Sequence, residues 1–81
     1  MLTELKKGTK VVGAKQTRRA VLDGRAVKVY YAPDADPALW EPLVELCGEH
    51  GVPTHEVGDM KQLGHACGIA VGAAIAALVS E

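Results

Sequence analysis

The chain has 81 residues, 48% of them hydrophobic and 23% charged, with a formal net charge of −1. Those figures fit one domain with a single modest core and exclude a disordered chain; the absence of Phe and 4% aromatic content exclude a single-strand binder built on interleaved stacking rings. The charge is unevenly placed: Lys6, Lys7, Lys10, Lys15, Arg18, Arg19, Arg25 and Lys28 face only Glu4 and Asp23 in the first 28 positions, a local +6 that the remainder balances at −7.

In chain order, residues Met1 to Gly8 carry neither an apolar segment nor a cleavage-like site that would mark them for secretion. Lys10 to Gly13 reads as a short apolar strand, and residues 15 to 23 as a helix that Gly24 closes in the left-handed conformation. Ala26 to Ala32, with β-branched and aromatic residues together, is the clearest strand. The break Pro33-Asp34-Ala35-Asp36-Pro37 then sets Asp36 to cap a helix and Pro37 to open it. That helix carries Leu39, Leu43, Val44, Leu46 and Cys47 and ends at Gly51. Pro42 lacks an N–H and its ring crowds the preceding turn, so an irregular first turn is expected before it. Thr54 to Val57 forms a third strand and Asp59 to Ala66 a helix with an acidic cap. The tail from Ala70 to Val79 suits either a helix, by its alanines, or a buried strand, by its unbroken apolar run between glycines. From Ile69 to Val79 the run is about 11 residues, against the roughly 20 that a membrane helix needs. Strands alternating with helices imply an α/β fold, an α/β/α layer sandwich formed by one domain over residues 1–81. Two cysteines without a disulfide-like pattern fit a reducing, cytoplasmic setting.

The segment with most chemistry is Gly13-Ala14-Lys15-Gln16-Thr17-Arg18-Arg19, at a strand-to-helix junction. At about 100° per residue, Lys15, Arg18 and Arg19 share one side of the helix while Thr17, Ala20 and Val21 take the other, which packs on the sheet. Cations near a helix N-terminus oppose its dipole and cost a few tenths of a kcal/mol each. An anion docked there reverses the sign, because free N–H groups and guanidinium groups then act together. The alternative is a solvated basic face. Nucleic acid is the large polyanion that the surrounding lysines suit.

Other constellations are thin. Gly8 and Gly13 have Walker A spacing, but Ala14 stands where the Lys belongs. Cys47 and His50, with His65 and Cys67, do not follow a zinc spacing, and Cys47 falls on an apolar helix face. Cys67 with His65 or His55 lacks an orienting third residue, so no catalytic residue is assigned. Asp34 and Asp36 fit capping and turn formation, and Trp40 fits the edge of a core.

Four blocks in order, Gly13 to Arg19, Tyr31-Ala32-Pro33-Asp34-Ala35-Asp36-Pro37, Cys47 followed after four residues by Val52-Pro53, and Leu63-Gly64-His65-Ala66-Cys67-Gly68, resemble the L-seven-Ae ribosomal protein family. The likeness spans positions 8 to 80 and is greatest to the small bacterial members that bind RNA kink-turns. It implies a three-layer α/β/α sandwich with a mixed four-stranded sheet in which the tail is a strand. It also implies a non-enzymatic RNA-binding protein, without cofactor or metal, acting as a monomer on structured RNA that contains a kink-turn, ribosomal or regulatory, with the ribosome as one setting. By position, Gly13, Ala14, Lys15, Gln16, Thr17, Arg18 and Arg19 would form the turn that meets the tandem sheared G·A pairs. Lys15 and Arg19 fall to base edges, Arg18 and the upstream lysines to phosphate. Lys15 replaces the family's usual Asn and Gln16 its usual Glu; Gln16 can donate and accept on a base edge, whereas Lys15 can only donate. The second contact implied is the loop Gly68-Ile69-Ala70-Val71-Gly72, with Ile69, Ala70 and Val71 sheltering an unstacked nucleotide. Met60 stands where relatives often carry Lys, which removes one charge there. A protein-interaction module of the same fold that has left RNA is the other reading.

Overall fold

The computed structural model describes residues 8–80. Four strands, β1 (Lys10–Val12), β2 (Ala26–Tyr31), β3 (Thr54–Glu56) and β4 (Ile75–Val79), alternate with three helices, α1 (Ala14–Leu22), α2 (Pro37–Glu49) and α3 (Met60–Ala66). The sheet order is β1-β4-β2-β3, with β4 antiparallel to both β1 and β2, and β2 parallel to β3. The sandwich with a mixed four-stranded sheet is the architecture expected.

Residues of one strand alternate between the two faces, and the register aligns them across strands. Val12, Ala76, Tyr30 and His55 form one row and Val11, Ala77, Val29 and Thr54 the next. On one face Tyr30 and Ala76 pack with Leu63, Ala66 and Cys67 under α3. On the other, Val29, Ala77 and Ile75 pack with Ala20, Val21, Leu43 and Cys47 under α1 and α2. Tyr30, Leu63, Ile75, Val21 and Val29 are all fully buried, the four aliphatic side chains each a gain of about 1.5–3 kcal/mol over exposure.

The ambiguous tail resolves through its neighbours. Ile75, Ala76, Ala77 and Val79 are buried because β4 lies between β1 and β2 and under helices on both faces, so no polar position is left to reveal a strand period. Ala70 to Ala74 precedes the strand as a loop. The irregular turn expected before Pro42 is a correction: α2 runs unbroken from Pro37 through Pro42 to Glu49. Pro42 falls only six positions into the helix, where the partner that its missing N–H would have reached is the carbonyl of exposed Ala38, which water can serve. At the start of α2 the Leu39 N–H donates to the Asp36 carbonyl three residues back at 2.8 Å, so the first turn is tightened without being broken. Trp40 closes a core edge as expected. Its ring stacks on Tyr31 at 4.8 Å between centroids, and its indole N–H donates to the Ala35 carbonyl at 3.2 Å.

Candidate nucleic-acid interface

Because β1, β2 and β3 run in one direction, their C-terminal ends, and the N-termini of the helices that follow each, gather at one end of the sheet. The start of β4 lies there too. Helix N-termini are the positive ends of their dipoles, so this end attracts anions. Two of the three are closed by the chain's own carboxylates. Asp36 Oδ1 accepts from the Ala38 N–H at 3.0 Å at α2, while Asp59 Oδ1 and Asp34 Oδ1 accept from the Gln62 and Met60 N–H groups at 2.7 and 2.9 Å at α3. The first helix differs. Its cap is Gly13, which makes no side-chain hydrogen bond.

The turn at Gly13 holds this opening in place. Its φ of 99° and ψ of 156° lie in a region that essentially only Gly occupies. The Gly13 N–H donates to the Ile75 carbonyl at 2.9 Å, and its carbonyl accepts from the Thr17 N–H at 3.0 Å. The chain thus turns directly from the sheet into α1, whose first N–H groups, from Ala14 to Gln16, have no carbonyl of a preceding turn to bond. Lys15, Gln16, Arg18 and Arg19 are exposed, whereas Thr17, Ala20 and Val21 are buried against the sheet. Thr17 is fully buried, so within the motif it anchors the helix and offers no side chain to a ligand. Lys15, Arg18 and Arg19 rim an apolar groove of about 610 Å3 between α1 and α2, with Leu22, Leu39, Pro42 and Leu43 in its lining.

The second component is the loop from Gly68 to Gly72. It leaves α3 with the Gly68 N–H on the His65 carbonyl at 3.0 Å and the Ile69 N–H on the Gly64 carbonyl at 3.1 Å, Gly68 taking φ 76°. It returns to β4 with the Ala73 N–H on the Met60 carbonyl at 3.0 Å. Between those ties the loop backbone lies directly on Gly64: a Cβ there would run into the Val71 carbonyl. The side chains of Ile69 and Val71 are left facing out, Val71 71% exposed. Met60 is half-buried and packs on the core, so the loop's neighbour here is apolar.

Two widely separated parts of the sequence are therefore brought together, since β1 leads into Gly13 and the loop leads into the adjacent β4. Sequence reasoning missed three residues beside the loop. Lys61, Gln62 and His65 lie on the exposed side of α3 and line, with Asp59 and Ile69 to Gly72, a cleft of about 660 Å3. Their i, i+3 and i, i+4 spacing opposite buried Leu63 and Gly64 was the available signal. Gly64 was also missed as a positioning residue; a glycine inside a helical pattern was its mark.

Other basic residues stand elsewhere. Arg25 lies at the far end of α1 with Asp23, the two groups 3.9 Å apart and about half exposed, a pair worth little. Lys28 projects from the α3 face of the sheet with Nζ 5.4 Å from the centre of the Tyr30 ring. Lys6 and Lys7 lie outside the described residues. Cys47 and Cys67 belong to cores on opposite faces of the sheet, which separates them as joint metal ligands. Burial raises both thiols above their ordinary pKa, Lys10 partly offsetting this at Cys67, so both stay protonated and unreactive near neutrality. No helix among the described residues is long and apolar enough to cross a membrane.

Comparison with known proteins adds to this geometry. The model of the family described as ribosomal protein L7Ae/L30e/S12e/Gadd45 matches residues 2–81. An RNA-binding protein of Geobacillus sp. (strain WCH70) is 47% identical over 75 residues, covering 93% of this chain and 92% of its own. Another RNA-binding protein, from Caldanaerobacter subterraneus subsp. tengcongensis, is 47% identical over 68 residues, 84% of this chain and 83% of that one. Among solved structures, the Giardia lamblia 15.5kD RNA binding protein superposes with a TM-score of 0.92 at 30% identity, over 99% of this chain and 71% of that chain.

Proposed function

The chain belongs to the ribosomal protein L7Ae/L30e/S12e/Gadd45 family, and from that membership we propose that it is an RNA-binding protein that recognises and stabilises kink-turns in structured RNA. The observation that carries the proposal is the uncapped start of α1, opening beside an exposed apolar loop while the other two helix starts are filled by Asp36, Asp34 and Asp59. An anion site and an apolar shelf side by side match the two parts of an RNA bend: a phosphate backbone with purine edges, and a base expelled from the stack.

In this reading the backbone from Gly13 to Gln16 approaches the G·A pairs, Lys15, Gln16 and Arg19 meet base edges, and Arg18 meets phosphate. Ile69, Ala70 and Val71 receive the unstacked nucleotide. No bond is made or broken. The protein binds the bent RNA and not the extended one, and the RNA's conformational equilibrium shifts by that difference in affinity.

The test is titration of a kink-turn RNA with the protein and its variants. Lys15→Ala and Arg19→Ala should each cost about 1–3 kcal/mol of binding free energy if each contacts a base edge. Arg18→Ala should instead weaken all RNAs alike and reduce the slope of log affinity against log salt by about one. Unchanged affinity in the Lys15→Ala, Arg19→Ala double variant sinks the assignment. If the fold serves a protein partner instead, the purified protein carries no bound RNA and its 260 to 280 nm absorbance ratio is that of protein alone.

A further inference from the structure

The cleft between α3 and the loop has walls of opposite character. On one side stand Ile69, Ala70 and Val71, all exposed; on the other stand Lys61, Gln62 and His65, also exposed, with half-buried Asp59 at the start of the helix, its Oδ1 accepting from the Gln62 N–H. A ligand that fills such a space presents an apolar face and a polar edge together. An unpaired nucleobase has that form, with a π-face for an apolar or aromatic surface and donors and acceptors around its rim. From these walls we infer that His65 and Gln62 are specificity-determining residues for the unstacked nucleotide of the bound RNA: the His65 imidazole stacks on the base and the Gln62 amide reads its edge. The inference rests on the kink-turn reading above and extends the site from the loop onto the helix beside it.

Three features support it. The cleft, at about 660 Å3, has room for a base and its sugar. Its walls are pre-set, because the loop is tied to α3 by the Ile69 and Ala73 N–H groups and lies against Gly64, so a base meets a surface already formed and little ordering is lost on binding. The donors and acceptors also suit the task. The Gln62 amide, part of the cleft lining, can both donate and accept. The Lys61 ammonium on the same helix face serves the phosphate of that nucleotide as a point charge.

The experiment compares two RNAs and three variants. One RNA is an intact kink-turn; the other has an abasic site at its unstacked nucleotide. His65→Ala should weaken binding of the intact RNA on the order of tenfold, and His65→Phe should restore it, because stacking tolerates any aromatic ring. On the abasic RNA, wild type should bind more weakly and His65→Ala should make no further difference. Being exposed, His65 can be replaced without loss of fold, and an unchanged melting temperature confirms this. Equal losses on both RNAs, or no loss on either, overturn the inference. In that case Lys15→Ala separates the two levels. If it still weakens binding, the kink-turn reading stands and only the His65 role fails; if it does not, the reading itself has failed. A protein partner in the cleft would appear as RNA affinity indifferent to His65.

Discussion

Gly64→Ala should lower stability by about 1–3 kcal/mol, toward the upper end, and should weaken RNA binding beyond what that loss of stability explains. A methyl at this position meets a carbonyl of the main chain, not the tip of a side chain that could swing aside. The obstructing group is the Val71 carbonyl, in the middle of a loop fixed at both ends by the Ile69 to Gly64 and Ala73 to Met60 hydrogen bonds. Either α3 lifts from the sheet, opening the core around Leu63 and Tyr30, or the loop lifts from α3 and carries Ile69 and Val71 out of position. Both routes disturb the proposed nucleotide shelf. Urea denaturation and RNA titration of the same variant test this together. A midpoint and an affinity both unchanged would mean that the loop does not rest on the helix.

Gly13→Ala should act at the other half of the site and for a different reason. Nothing lies within 4 Å of a Cβ built there, so the difficulty is conformational: φ 99° with ψ 156° is strained for any residue with a side chain, by about 1–3 kcal/mol. The strain can be relieved only by rotating the peptide that joins β1 to α1, which breaks the Gly13 to Ile75 hydrogen bond and turns the helix opening away from its place beside the loop. Stability should fall by that amount while Lys15, Gln16 and Arg19 remain chemically intact. RNA affinity should nonetheless fall by as much as in Lys15→Ala, since the backbone approach is lost with the charges still present. An affinity preserved at full would assign recognition to the side chains alone and remove the turn from the mechanism.

Most helix boundaries were legible because they depend on local chemistry. Asp36 with Pro37, Asp59, and Gly24 and Gly51 each act within a few residues of where they stand, and the structure places them at the ends that their chemistry predicts. The division of α1 into a cationic side and a buried side through Thr17, Ala20 and Val21 was likewise a matter of helical period. Pro42 was misjudged because its cost depends on which carbonyl goes unpaired, and that of exposed Ala38 is readily hydrated. The three-residue side of α3 escaped notice because Lys61, Gln62 and His65 read as an ordinary solvated face until a loop lies beside them.

By itself, the sequence determined the alternation of strands and helices, the caps, the polarised charge and the family. Only the tertiary structure decided that the run from Gly13 to Arg19 and the loop at Gly68 to Gly72 share one end of the molecule. The reason is the placement of β4. A strand apolar on both faces holds no signal of its neighbours, and its insertion between β1 and β2, antiparallel to each, turns the residues before it back to Gly13. Pairing across such separations is set by the burial of Ile75, Ala76 and Ala77 against two layers at once, a long-range term that no local window contains.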